Sequence, residues 1–440
     1  MREGSAPGLW SGVGLVAANM IGSGVFLSSG FMAQDMGPGT ILVAWLVGAM
    51  LALAGAQAYA ALARAVPRSG GEYRFLSELL HPALGYLAGW ASLLVGFSAP
   101  IAVNALAAGA YAATLVPGAP PRPVAVGFVL VLTVLHATGL RLSTRTQNAL
   151  VVLKASLLAV FVVAGLALGR AAWPEWTPPR ATDSFPVAPF ALGLFYIAFA
   201  FSGWNAAAYA AEEFRRPGED VPRAMLLGCA LVGILYLLVN WIVVANLTPE
   251  RAAAALGDEA GQVTLAHLVM RDVVGETGAR FVSLMMVAVF VSSISTMTFA
   301  GPRVYAAMAR DGFLPGVLGG RAGRPPSGSV ALQGALALLL VVAQGIRETL
   351  QAVGGILTFF AALTALCVFG LRQRRDAARP ATGSLAAAAL YALTAVWMLY
   401  FGFHASGALL AWIAAVSTAG LIAYALSSRR RPLRAFKWRK

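Results

Sequence analysis

Apolar runs of about 20 residues recur along the chain, and charged residues are confined to the gaps between them. Twelve spans are read, at roughly 10–31, 39–63, 84–115, 123–140, 147–169, 188–213, 224–247, 280–309, 328–346, 350–371, 384–403 and 407–427. A helix of ~20 residues rising ~1.5 Å per residue crosses a ~30 Å hydrocarbon core, so the pattern predicts an all-α polytopic membrane protein. The last two spans have the weakest polar separators. The gap at 248–278 carries Glu250, Asp258, Glu259, Asp272 and Glu276 among apolar residues and reads as an amphipathic surface segment.

Composition agrees with that pattern. Of 440 residues, 59% are hydrophobic and only 11% charged, against about 25% charged in soluble domains. The net charge of +14 is therefore a matter of topology before it is one of nucleic-acid binding, and no nucleic-acid partner is expected. Twenty-four of the 32 Lys and Arg fall on the side of the termini, among them Arg64, Arg68, Arg215, Arg216 and the tail Arg429–Lys440. Seven fall opposite, including Arg122, Arg271, Arg280 and Arg347. This bias predicts a multi-pass protein of the cell membrane with both termini cytoplasmic, and the basic tail could also touch anionic lipid. Residues 1–9 are polar and show no cleavable signal. Cys229 and Cys367 lie inside apolar runs and suggest neither a disulfide framework nor a metal cluster, so no cofactor is expected.

Two spans are interrupted. The first contains Ile21, Gly22, Ser23, Gly24 and Val25, and the sixth contains Phe199, Ala200, Phe201, Ser202, Gly203, Trp204 and Asn205. Small polar residues in mid-span unwind a helix, which membranes tolerate only beside protein or a water-filled cavity. Matched interruptions in the first helix of each half point to an inverted-repeat carrier. A half-helix starting near Ser23 would present N–H groups to a carboxylate, while carbonyls near Ile21 and Phe199–Phe201 would suit an ammonium. Together these describe the common part of an α-amino acid. The other reading is that the glycines only allow close helix packing, as Gly85, Gly89, Gly165 and Gly169 do.

These residues resemble the amino acid–polyamine–organocation (APC) transporters, in particular their L-type amino acid transporter branch. Ile21–Phe26 is similar to the family's first-helix signature, and Phe199–Asn205 with Tyr209, Glu212, Glu213, Pro217 and Pro222 to the sixth helix of that branch. Pro67–Tyr73, Ala307–Pro315 and Thr144–Asn148 match further patterns. The resemblance implies a five-plus-five inverted repeat (LeuT-like) with two added helices: residues 1–170, 185–375 and 380–440. It implies that amides of Ser23, Gly24 and Val25 hold a substrate carboxylate. Carbonyls of Ile21, Phe199, Ala200 and Ser202 would hold the ammonium, with Phe199 as an outer lid and Asn205 close by. Departures are Ser29, where many relatives have proline, and Ala61, where an acidic residue is usual. The stretch 116–122 lacks the cysteine that links animal relatives to a glycoprotein subunit, so no such disulfide-linked partner is expected.

Lys154 is the one basic residue deep in a span, where a cation costs about 2.5–3.5 kcal/mol and needs interior partners. In the family a lysine here replaces a sodium ion and meets the first helix and the eighth, where Ser293 is the matching partner. It could instead release a proton, or only brace helices. Glu212 and Glu213 are candidates for gate contacts or a solvated helix end. His136 reads as packed or interfacial, Phe359 and Phe360 as lipid-facing, core or pocket lining, Trp204 as pocket wall or packing, and Gly354–Gly355 as room beside the pocket.

The expected function is sodium-independent exchange of neutral L-amino acids across the bilayer. The neutral class rests on the absence of an acidic side chain deep near the breaks. The alternatives are a proton-coupled symporter, or a carrier of cationic amino acids or polyamines. The spans contain no paired aspartates, HExxH or Ser-His pair, so an enzyme is not expected. No filter motif suggests a channel. A binding-only sensor stays open.

Overall fold

The computed structural model describes residues 6–138, 144–169, 185–247, 259–310, 312–320, 326–374, 379–405 and 407–430. The beginning of the 248–278 segment, the linker 170–184 and the tail beyond Arg430 lie outside the described residues, as do Asp311, Arg321 and Arg324. The described residues form helices and no strand. Eight helices are long and apolar enough to cross a membrane, and four shorter apolar ones, Pro121–Ala137, Val152–Leu168, Val187–Ala200 and Ser327–Ala343, fall on the remaining predicted spans.

The first span is two helices, α1 (Leu9–Met20) and α2 (Gly24–Met32). After it come α3 (Pro38–Ala65), the short α4 (Glu72–Leu79) and α5 (Pro82–Leu115). Next are α6 (Pro121–Ala137) and α7 (Thr144–Leu168). The sixth span is α8 (Val187–Ala200) and a four-residue α9 (Ala206–Tyr209), followed by α10 (Pro217–Ala245). The remaining helices are α11 (Glu259–Val263), α12 (Leu265–Arg310), α13 (Ser327–Ala343), α14 (Ile346–Gly370), α15 (Thr382–Ala405) and α16 (Gly407–Arg430).

Lipid offers no hydrophobic drive between helices, so close approach and internal hydrogen bonds decide which faces meet. The first, third and eighth spans are 89%, 83% and 72% buried and make the centre, whereas α15 and α16 are 33% and 22% buried and line the edge. α1 packs on α10, and α2 on α8.

Two expectations change here. The described part of the 248–278 segment is not simply a surface element: Gln262–Val263 and Leu265–His267 are buried, and the Gln262 backbone lies close against Gly30 of α2. Its buried residues cover the end of the first span, and α12 itself is kinked at Gly275 (φ 79°). The third span is also not continuous. Ser92–Phe97 winds as a π-helix, with the Ser98 hydroxyl donating to Leu93 O at 2.9 Å. Pro100 removes an N–H from that turn, so the ladder there cannot close regularly.

Candidate functional site

The two interruptions lie against each other. α1 ends as Ile21 turns extended (ψ 103°), and α2 resumes at Gly24. A side-chain carbon on Gly24 would stand 2.5 Å from the Ala200 Cα, so only glycine permits this contact. Gly203 sits at φ 103° with the Asn19 backbone 2.9 Å from where a Cβ would be, and so is required twice over. The Tyr236 hydroxyl lies 2.6 Å from Met20 O and 3.2 Å from Ala200 O, joining the two unwound ends.

Backbone freed inside a membrane protein must find partners, and here it finds them within the chain. The Ser23 N–H donates to Asn104 Oδ1 at 3.0 Å, and Asn104 is fixed by its own bond to Pro100 O at 2.7 Å. Ile21 O accepts from Lys154 Nζ (2.5 Å) and Ser293 Oγ (3.1 Å). Phe199 O accepts from the Ser202 N–H at 2.9 Å. In this arrangement the Ser23 amide and the Ile21, Phe199 and Ala200 carbonyls have internal partners. Gly22, Gly24, Val25, Phe199 and Ala200 are buried behind them.

On the side of the breaks toward the termini lies a small cleft of about 60 Å³. Ser202, Gly203, Trp204, Asn205 and Tyr209 of the sixth span line it, with Asn19 of the first and Ser92, Gly96 and Phe97 of the π-helical turn. Thr358 and Tyr391 close it from α14 and α15. Of the predicted substrate residues, Ser202 and Asn205 therefore face the cleft. A second cavity of about 40 Å³ shares Ala198, Trp204, Thr358 and Tyr391 with it and is otherwise apolar.

Glu72 also lines the cleft, and this overturns the absence of acid on which the neutral class rested. It is 5% exposed, and Oε1 accepts from the Tyr59 hydroxyl (2.7 Å) and the Asn205 amide (3.2 Å). Burial raises its carboxyl above the ordinary value, and the bonds from Tyr59 and Asn205 act the other way. In sequence it sits in a polar connection, within the Pro67–Tyr73 motif. The π-turn was also missed; Gly96 followed by Pro100 was its signal.

Lys154 is 1% exposed and donates to Ala18 O (3.2 Å), Ile21 O (2.5 Å) and Ser293 Oγ (2.9 Å). It joins α1, the first break and α12. At the opposite end, Arg347 bonds Gln34 and the Tyr196 hydroxyl (3.2 Å) and lies 3.6 Å from Asp35.

Of the lesser candidates, Glu212 lies 3.9 Å from Arg68 at the surface. His136 meets Ser295 at 3.0 Å. Trp204 is cavity wall, whereas Phe359 and Phe360 do not line the cleft. Gly354 and Gly355 do not leave room: they are pressed against the Phe195 backbone and Leu409. Ser29 accepts from Trp45 Nε1 (2.9 Å) and donates to Asn240 Oδ1 (2.6 Å), tying α2 to α3 and α10.

A polar cleft that ends against two unwound helices in contact can pass a solute onward only if those segments separate. That is the construction of a membrane carrier. A family model described as amino acid permease matches residues 8–427, and the chain belongs to that family, within the APC superfamily, of transporters and not enzymes. It is 28% identical over 413 residues to large neutral amino acids transporter small subunit 2 of Mus musculus, covering 90% of this chain and 75% of the relative. With the Oryctolagus cuniculus protein of the same name it is 28% identical over 327 residues, 71% of this chain, and spans only 59% of that relative's length. With b(0,+)-type amino acid transporter 1 of Homo sapiens it is 26% identical over 407 residues, covering 89% and 81%.

Proposed function

We propose that this chain is a sodium-independent exchanger of L-amino acids that works by alternating access across the cell membrane. The observation that carries the reading is Lys154. A fixed cation that already ties Ile21 O to Ser293 leaves no vacancy there for a sodium ion. Two five-helix repeats, 1–170 and 185–375, would rock about the paired breaks, with 380–440 as an addition and both termini in the cytoplasm. Ser23, Gly24 and Val25 would take the substrate carboxylate, and Ile21, Phe199, Ala200 and Ser202 the ammonium, once the present internal partners let go. Asn205 would adjust from the cleft side. No disulfide-linked subunit is required.

The name of the mouse relative supports a neutral substrate. Glu72 favours a second reading in which cationic amino acids are also carried. Counterflow in proteoliposomes tests the exchange mechanism: labelled leucine should enter only when unlabelled amino acid is trapped inside, with or without sodium. Uptake into empty vesicles driven by a pH gradient would instead establish proton symport.

A further inference from the structure

Glu72 is a buried carboxyl with no cation beside it. Of the arginines near it in sequence, Arg68 pairs with Glu78 at 2.9 Å and Arg74 lies 3.8 Å from Glu78. Among the described residues no basic group pairs with Glu72, and its two hydrogen bonds come from neutral donors, Tyr59 and Asn205. The other ionisable side chains facing it are tyrosines, uncharged at neutral pH: Tyr59 from α3, Tyr209 from the sixth span and Tyr391 from α15. From α1, α5, α12 and α14 the cleft presents Asn19, Ser92, Met297 and Thr358, which carry no charge. Without a cation, burial favours the protonated acid, whereas water favours the carboxylate.

Glu72 also sits where its connection is fastened to the sixth span. The Glu212 N–H donates to Ser69 Oγ at 3.0 Å, Gly71 (φ 53°) lies against the Tyr209 ring, and the Asn205 amide donates to Glu72. These contacts hold 69–72 beneath the unwound stretch that bounds the cleft. Opening the cleft on that side separates them and admits water to the carboxyl. Proton binding and opening are then linked, because the state that binds the proton more tightly gains population as pH falls.

We propose that Glu72 is a proton-binding site that controls access to the cleft: its protonated carboxyl keeps 69–72 fastened under the sixth span, and its carboxylate favours a hydrated, open cleft. This rests on the reading of the cleft as the amino acid's path. The proton enters and leaves on the side of the termini, so it sets the rate of exchange without being carried across, and acidification there slows exchange. Tyr59 and Asn205 act as positioning residues that hold the carboxyl at the cleft.

The test is the reaction of a cysteine placed at Met297, in the cleft wall, with a water-soluble maleimide, on the full chain in detergent micelles. Rates are corrected for the buried Cys229 and Cys367. They are compared with and without Glu72→Gln, which keeps the shape but cannot ionise, always at one pH so that thiolate chemistry cancels. At about pH 8 the chain with Glu72 should react about threefold or more faster than Glu72→Gln, and at about pH 5 the two should converge. A ratio independent of pH overturns the proposal, because loss of a merely structural contact acts alike at both. If Glu72→Gln does not fold, the Met297 cysteine is referred to one at exposed Gly383, and a normalised rate that does not rise with pH also overturns it. Leucine counterflow by the wild type separates the two readings. Absence of any exchange sinks the carrier, whereas exchange as fast at about pH 5 as at about pH 8 sinks only the control by Glu72.

Discussion

Lys154 illustrates how far a single residue can be read. A lysine in an apolar run must be compensated, and three oxygens at 2.5–3.2 Å compensate it, two of them carbonyls at the end of α1. Snorkelling is excluded by its 1% exposure. Replacing it with alanine leaves Ile21 O and Ala18 O without their cation, and one charged hydrogen bond is worth about 1.5–3 kcal/mol. Lys154→Ala should therefore reduce exchange by about tenfold or more in proteoliposomes while the protein still inserts. Wild-type flux in that variant would remove the ion-mimic role. Glu72 was not legible in the same way. A glutamate beside Arg68 and Arg74 in a polar connection looks solvated, and only the docking of α4 beneath the sixth span buries it.

At the scale of elements, the two interrupted helices were legible because glycine and serine act locally, wherever the helix lies. What the freed backbone would do was not. The structure spends it on Asn104, Tyr236, Lys154 and Ser293, side chains from α5, α10, α7 and α12. The π-turn of α5 escaped for a related reason: its apolar run is unbroken in hydropathy, and the irregularity shows only in hydrogen bonding. Arg347 joins three elements at the end of the bundle away from the termini: the end of the first span, α8 through Tyr196, and α14. Gln351 donates to the same Tyr196 hydroxyl at 2.8 Å. If this cluster seals that end, Arg347→Ala should shift the population toward an arrangement open there. A cysteine at Gln351 should then react about threefold or more faster with a membrane-impermeant thiol reagent, in line with ~0.5–1.5 kcal/mol per lost hydrogen bond. An unchanged rate would show that the seal lies elsewhere.

For the whole molecule, the arginine distribution makes a prediction that the helix packing does not test. With 24 basic residues on one side, tags at the N- and C-termini should both be protected from added protease in sealed right-side-out vesicles and cut in inverted ones. Cleavage of either tag in right-side-out vesicles would refute the orientation.

The sequence by itself determined the helical membrane class, the twelve spans, the two breaks and the family, because hydropathy and helix-breaking residues exert their effects within a few turns. Tertiary structure decided what those breaks face. It closed the first break against Ala200, gave its carbonyls to Lys154 and Tyr236, and brought a carboxyl from a polar connection to the edge of the cleft. Those outcomes depend on which helices meet, and contacts between residues far apart in the chain leave no local pattern to read.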